Sequence, residues 1–326
     1  MLPGGPAALL QRAVRKARKC RGEFPVTGKP EILAMSKKVG VAVLHGIGRQ
    51  GPDFADGLTT ELTRLFAAEL AMDVSTACEQ LIIAPVHWDG VLRPLQSDLW
   101  TRVRQGGNLD WETFRHLLID FAGDAIAYQP APTGRKIYTE VHETIADVLS
   151  LLAEKAGEEA PLCIIAHSLG SVIASNYLYD LQVDSRKQLM PGTVRDKIGT
   201  TPLERGETLT LLYTLGSPLA IWSLRYHDFG LPIDLPSPKL ADVHPALVRE
   251  VEWLNFYDKD DVIGFPLKKL NERYEEVVTA DVEVHVENLL TSWNPLSHTD
   301  YWRDKSVTKP IATGLARVWR VLNGQL

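Results

Sequence analysis

Cysteine and long hydrophobic runs are both scarce in this chain of 326 residues. The three cysteines, Cys20, Cys78 and Cys163, are widely spaced and form no CxxC pair. The sequence therefore predicts free thiols, with no disulfide framework and no metal site. No apolar run approaches the roughly 18 residues that a membrane-spanning helix needs, and the first residues lack the order of a secretory signal. We therefore expect no transmembrane segment and a cytoplasmic location.

Negatively charged residues are scarce in the first part of the chain. Residues 1–38 hold nine Lys and Arg but two Asp and Glu, so their charge of +7 leaves −13 for the rest of a chain whose net charge is −6. An acidic body argues against a nucleic-acid partner. Met35 resembles a natural translation start, so we interpret residues 1–34 as an upstream extension. We predict a basic tail at 1–38 and one domain at 39–326.

What is abundant is an alternation of strand and helix patterns, in a chain that is 45% hydrophobic. Short apolar runs predict five buried strands and an alternating pattern predicts one edge strand: Val39–Leu44, Leu81–Val86, Leu162–Ala166, Leu209–Leu215, Trp253–Tyr257 and Asp281–Val286. Helical spacing lies between them, and a last helix starts at about Ser306 with Pro310 near its first turn. This order predicts an α/β fold with a mostly parallel sheet and helices on both faces.

Two stretches interrupt that alternation, at about 88–135 and 217–250. Both follow strand ends and both carry aromatic residues, including Trp88 and Trp222. Ligands of open parallel sheets bind beyond the carboxyl ends of the strands, so these insertions are placed to roof a site as a lid. The alternative is that their aromatic residues close the surface over the core.

The most informative segment is PLCIIAHSLGS, in which an apolar strand runs directly into a helical pattern at Ser168. So sharp a turn strains the serine backbone and needs small residues at Ala166 and Gly170. The segment resembles the G-x-S-x-G nucleophile elbow of the α/β-hydrolases, with alanine in place of the first glycine. This resemblance to lipase-like and esterase-like members implies an α/β-hydrolase fold in which Ser168 is the nucleophile of a serine hydrolase.

The resemblance also implies an acid and then a histidine downstream of the serine. His298 lies between the last strand and the last helix and is the predicted base; His285, inside a strand pattern, suits that role less well. Asp261 lies four residues after Tyr257, a spacing found in lipase-like sequences, and is the favoured acid. Asp260 remains the alternative, and the unused aspartate would cap the following turn.

The segment VAVLHGIGRQG is similar to the His-Gly loop of lipases, which predicts the amides of Ile47 and Leu169 as the oxyanion hole. His45 and Gly46 would then border the substrate pocket, His45 by holding the loop in place. LLYTLGSPL is similar to a turn that many lipase-like hydrolases carry after the nucleophile helix. Ser217 within it would shape the pocket rim together with Trp88 and Trp222.

The same loop also spells GxGxxG from Gly46 to Gly51, a pattern of dinucleotide-binding Rossmann proteins. Pro52 directly after the third glycine and the late position of Asp89 argue against that interpretation. The first expectation is therefore hydrolysis of a small-molecule carboxylic ester or lipid, without cofactor or metal. A thioesterase or acyltransferase on the same triad and a non-catalytic binding module are the alternatives.

Overall fold

One parallel sheet forms the centre of the protein. The computed structural model describes residues 37–47, 50–105, 123, 126–128, 135–286 and 301–325. Within these ranges six strands pair in the order β2-β1-β3-β4-β5-β6, and every pair is parallel. The strands are β1 Val39–Leu44, β2 Leu81–Val86, β3 Leu162–His167, β4 Leu209–Leu215, β5 Glu252–Asp258 and β6 Ala280–Val284. The predicted α/β class with a mostly parallel sheet is confirmed.

Helices connect the strands in the manner of a crossover fold. In chain order they are α1 Asp56–Glu69, α2 Val74–Gln80, α3 Asp89–Gln105, α4 Lys136–Ala156, α5 Leu169–Lys187, α6 Gly192–Lys197, α7 Leu219–Ser223, α8 Leu240–Val243, α9 Glu272–Val277 and α10 Lys305–Leu322. Two 3-10 helices span His227–Phe229 and Pro245–Glu250. In the part of the chain that the structure describes, no helix is long and apolar enough to cross a membrane.

The sheet separates two hydrophobic cores. Alternate residues of β1 point to opposite faces, so Ala42 and Leu44 join the core under α4 and α5. Val39, Val41 and Val43 join a second core under α1 and α10. All six residues of β1 are buried, which explains why its sequence is a continuous apolar run rather than an alternating one. Helices therefore cover both faces of the sheet, as the sequence predicted.

Most strand boundaries agree with the sequence prediction to within one residue, and two features differ. β6 ends at Val284 instead of Val286, because the Val286 N–H donates to the Asp258 carboxylate (2.7 Å) rather than continuing a strand. Pro310 is the sixth residue of α10, beyond the first turn in which we expected it. It leaves the Ser306 carbonyl without a helical donor, and Ser306 is exposed, so water can satisfy that carbonyl.

The two predicted insertions are described to different extents. In the first insertion, 88–135, most of the part that follows α3 lies outside the described residues, including Trp111, Phe114 and Phe121. The tail at 1–36 also lies outside them. Trp88 and Tyr128 are buried in the first core, so these two aromatic residues close the core. The 217–250 stretch instead exposes large apolar side chains: Ile221, Leu224, Tyr226, Phe229 and Leu231.

Candidate active site

Most of the predicted polar site residues that the structure describes lie where four neighbouring strands end. Leu44 of β1 pairs with Ala166 of β3, and Leu215 of β4 pairs with His167 and Phe256. The residues that follow β1, β3, β4 and β5 therefore share one edge of the sheet. β2 pairs with one edge of β1 and β3 pairs with the other edge, so successive connections leave β1 in opposite directions. The gap between β1 and β3 is therefore a topological switch point. Open α/β sheets bind ligands at such points.

Ser168 occupies a strained turn between β3 and α5. Its φ of 51° and ψ of −129° lie in a region that residues other than glycine rarely adopt. Its N–H donates to the Leu215 carbonyl (2.9 Å), and its own carbonyl accepts from Ser171 N–H (2.9 Å). These bonds hold the turn against β4 and against the first turn of α5. The strained serine backbone that the sequence predicted is confirmed.

Glycine is required at Gly170 and at Gly46 because the serine turn and the loop after β1 approach each other very closely. A Cβ added to Gly170 would lie 2.4 Å from the His45 carbonyl oxygen and 3.0 Å from that of Leu44. A Cβ added to Gly46 would lie 2.6 Å from the Ser168 Cβ. The distances of 2.4 and 2.6 Å are far shorter than an ordinary van der Waals contact. The His-Gly loop is thus packed directly against the serine turn.

His45 holds this loop in place through both ring nitrogens. Its Nδ1 donates to the Gly46 carbonyl (2.7 Å), and its Nε2 accepts the Trp88 backbone N–H (3.2 Å). The Trp88 indole stacks on the imidazole and donates to the His45 carbonyl (3.0 Å). Burial lowers the pKa of His45 to about 3, so the ring is neutral. A neutral ring with both nitrogens engaged is a structural support.

The two predicted oxyanion donors, Ile47 and Leu169, directly follow Gly46 and Ser168, the two residues that pack against each other. Leu169 is the first residue of α5 and is buried; the amides of a first helical turn have no acceptor within their own helix. Ile47 follows Gly46 and is half-buried, packing against the first core. Gly48 and Arg49, the next residues of this loop, lie outside the described residues.

A pair of buried serines supports the turn from beneath. The Ser171 hydroxyl donates to the Ser168 carbonyl (2.6 Å), so it must accept the hydrogen of the Ser217 hydroxyl (2.7 Å). Ser217 Oγ also accepts the Leu219 N–H (3.3 Å). Ser217 is therefore fully engaged within the fold, and Ser171, which we did not single out from the sequence, is its link to the serine turn.

The three aspartates at the end of β5 and just after it have clearly different surroundings. The Asp258 carboxylate accepts the N–H groups of Asp260 (2.9 Å), nearby in the chain, and of Val286 (2.7 Å), after β6. Asp260 is exposed, whereas Asp261 is buried. Asp261 accepts the Ile263 N–H on Oδ1 (2.9 Å) and the Tyr301 hydroxyl on Oδ2 (2.9 Å). Of the two candidate acids, Asp261 is thus the one held inside the protein.

The loop that carries Asp261 folds back onto the end of β4. A Cβ added to Gly264 would lie 2.8 Å from Asp261 Oδ2 and 3.1 Å from the Cα of Gly216. The Phe265 N–H donates to the Ser217 carbonyl (3.1 Å). Since Gly216 directly follows the residue that accepts the Ser168 N–H, the acidic loop and the serine turn are neighbours on the same strand end.

Tyr301 connects this loop to the serine turn and was missed by sequence reasoning. Its hydroxyl donates to Asp261, and its ring centroid lies 5.8 Å from that of His167, the residue before Ser168. The Trp302 ring lies 5.3 Å from the same imidazole. Nothing in the sequence separates Tyr301 from the aromatic residues that simply fill the core. His298, the predicted base, lies outside the described residues.

The serine turn is buried. Ser168 is 1% exposed. Trp222 is half-buried against the first core and its indole nitrogen is buried. A cleft of about 520 Å³ lies between 227–231 and 270–273, and another of about 400 Å³ lies along α10. Ser168 lines neither cleft. Within the described ranges, no group of three or more His, Cys, Asp or Glu could hold a metal ion.

Comparisons with known proteins leave the family open. No family model, no curated protein and no solved structure matches this chain.

Proposed function

We propose that this protein is a serine hydrolase with an α/β-hydrolase fold that cleaves carboxylic esters through an acyl-enzyme. In this proposal Ser168 attacks the acyl carbonyl, His298 takes the proton and returns it to the leaving group, and Asp261 orients the imidazole. The amides of Ile47 and Leu169 stabilise the oxyanion. The observation that carries the proposal is the strained serine turn at the switch point of a parallel sheet, with a buried carboxylate after β5, two strands away at the same sheet edge.

The covalent chain supports His298 as the base. Tyr301 contacts both Asp261 and the residue before Ser168. Three peptide units separate it from residue 298, which limits the distance between the two Cα atoms to about 11 Å. In this proposal the three peptide units are long enough for the histidine to reach the point at which nucleophile and acid approach each other.

The described histidines offer weaker alternatives. Both nitrogens of His45 are engaged and its pKa of about 3 makes it a poor proton acceptor near neutral pH. His244 bonds to the Glu159 carbonyl, and the exposed His285 lies beside Glu283 at the edge strand. These three histidines fit the role of the base less well than His298 does in this proposal.

The glycine-rich loop after β1 gives little support to dinucleotide binding. α1 begins at Asp56, five residues after Gly51. A pyrophosphate-binding loop needs its third glycine in the first turn of the helix, where the free amides lie. The packing of Gly46 against Ser168 instead fits an oxyanion loop.

The surface around this sheet edge favours an apolar acyl group. Leu95 and Leu99 on α3, and the exposed residues of the 217–250 insertion, all follow strand carboxyl ends. Exposed apolar side chains that come together in a patch mark a surface that binds apolar ligands, and in this proposal these residues supply it. Carboxylic esters of lipids or of other small acyl groups are therefore the proposed substrates, with thioesters as an alternative on the same triad.

Fluorophosphonate labelling tests the nucleophile and the base. We expect one adduct, on Ser168, which is absent from Ser168→Ala and slowed by at least about 10³-fold in His298→Ala because a serine without its base is a weak nucleophile. His285→Ala is the matched control and should label at the wild-type rate. A folded protein that forms no adduct would contradict the proposal and favour a binding module.

A pair of adjacent substitutions tests the acid. Asp261→Asn should lower kcat for nitrophenyl esters by roughly 10²- to 10⁴-fold, because the imidazole loses its orienting charge. Asp260→Asn, one residue away but exposed, should stay within about threefold of wild type. A larger loss in Asp260→Asn would overturn the assignment. Esters and thioesters of rising chain length, measured in the same assay, separate the two substrate classes.

A further inference from the structure

The Tyr301 hydroxyl makes one hydrogen bond to a backbone N–H and one to the side chain of the proposed acid. The residue is fully buried in the second core. Its oxygen accepts the Asp258 N–H (2.9 Å), and its hydrogen goes to Asp261 Oδ2 (2.9 Å). Burial, and next the nearby Asp261, raise the pKa of Tyr301 well above its usual value, so the group remains an O–H donor.

The Asp261 carboxylate is thereby held at both oxygens. The Ile263 N–H fixes Oδ1 from within the same loop, and Tyr301 fixes Oδ2 from a segment 40 residues further along the chain. With a donor on each oxygen, rotation of the carboxylate about its Cβ–Cγ bond would break at least one of these bonds. The lone pairs of the Asp261 carboxylate that these two bonds do not use therefore keep a fixed orientation.

We infer that Tyr301 is a positioning residue that orients the Asp261 carboxylate toward the catalytic histidine. This inference rests on the proposed function and adds a residue to it. Tyr301 touches no reacting atom; it acts through Asp261. Because it lies three residues after His298 in the sequence, the same hydrogen bond ties the segment that bears the base to the loop that bears the acid.

Tyr301→Phe tests the inference, with Tyr213→Phe as the matched control. Tyr213 is equally buried in the same core and also donates to a carboxylate, Glu252 Oε1 (2.8 Å), at a point away from Ser168. We expect Tyr301→Phe to lower kcat and the rate of fluorophosphonate labelling by about 10- to 100-fold, the usual range for loss of a hydrogen bond to a charged group, with KM unchanged. Tyr213→Phe should stay within about threefold of wild type.

A double-mutant cycle distinguishes positioning from general stabilisation. If Tyr301 acts through Asp261, then adding Tyr301→Phe to Asp261→Asn should cost less than about threefold in kcat. A full additional 10-fold loss in the double variant, or a wild-type kcat in Tyr301→Phe alone, would overturn the inference. Absence of Ser168 labelling in the wild-type protein would instead overturn the proposed function itself, so the two failures are distinguishable.

A shape-preserving variant covers the case in which Tyr301→Phe does not fold. Incorporation of p-fluorophenylalanine at position 301 fills the volume of the hydroxyl without supplying a donor. It should show the same loss of kcat, and p-aminophenylalanine, which keeps an N–H donor there, should recover part of it. Equal rates for these two variants would contradict the positioning role.

Discussion

Backbone strain at Ser168 is the feature of a single residue that most clearly separates this serine from an ordinary helix cap. Gln188 also has a positive φ, but its ψ of 45° places it in the left-handed well that many helices use at their ends. Ser168, with ψ near −129°, lies outside that well. Such a conformation costs on the order of 1–3 kcal/mol and persists where the surroundings impose it, often at functional sites. The bonds from Leu215, Ser171 and the close approach of Gly46 impose it here.

Asp180 on α5 should make the stability of the protein depend on pH. Burial, only partly offset by the Tyr138 hydroxyl (2.6 Å), raises the pKa of Asp180 to about 6. The folded state therefore binds this proton more tightly than the unfolded state does, and stability falls as the pH rises from about 4 to about 6 and stays lower above it. For a shift of about two units this contribution is about 2–3 kcal/mol.

Asp180→Asn removes that titration while keeping an oxygen that can accept from Tyr138. We expect a gain of about 2 kcal/mol in the free energy of unfolding at pH 8, and little gain at pH 4, measured by urea denaturation across the pH range. Asp242→Asn, on the short helix α8 and exposed, is the control and should shift stability equally little at both pH values. A gain that is the same at pH 4 and pH 8 would refute the role of Asp180.

At the scale of elements, α5 is seated on the end of β1 through Gly170, and this contact can be tested with a matched pair of glycines. Gly170 and Gly57 are each the second residue of a helix, α5 and α1. An added Cβ at Gly57 meets nothing within 4 Å, whereas at Gly170 it meets the backbone of β1. Gly57→Ala should be neutral or stabilise by up to about 1 kcal/mol. Gly170→Ala should destabilise by about 1–3 kcal/mol and slow labelling of Ser168.

Urea denaturation of the two alanine variants, each compared with wild type, measures this difference. Equal stabilities would show that the contact between α5 and β1 is looser than the structure indicates. Because the His45 carbonyl belongs to the loop that follows β1, we expect the labelling rate of Gly170→Ala to fall more than its stability alone would explain.

The strands could be predicted from the sequence because buried parallel strands are apolar throughout. β1, β2 and β4 have the predicted boundaries, and their ends mark where the chain must turn toward the site. The serine turn was visible for the same reason, since Ala166 and Gly170 are local to it. Tyr301 was not, because its role depends on a hydrogen bond to a residue 40 positions away. The early end of β6 has the same origin, a bond from Val286 to the distant Asp258.

At the scale of the whole molecule, the two cores lie on opposite faces of one sheet and should unfold together. Buried tryptophans lie in both cores, Trp253 in the first and Trp319 in the second, so tryptophan fluorescence follows the loss of both; Cys163 on the central strand β3 belongs to the second core alone. Cys163 is fully buried, and burial raises the pKa of its thiol well above the usual value. A thiol in this state does not react until the strand is exposed, because the thiolate is the reactive form. Its reaction with a disulfide reagent therefore reports the opening of the sheet.

In a Cys20→Ser, Cys78→Ser variant, we expect the labelling of Cys163 in increasing urea to follow the same transition as tryptophan fluorescence. Coincidence of the two probes is the signature of a single cooperative unit, and the slope of the free energy of opening should equal the global m-value. Cys78, half-buried on α2 near the sheet edge, provides the contrast: in a Cys20→Ser, Cys163→Ser variant it should react at urea concentrations well below the transition. Labelling of Cys163 at those low concentrations would mean that one face opens alone. In that case the strand that carries Ser168 would have a local route to exposure, and access to the buried serine would be governed by opening of the sheet itself.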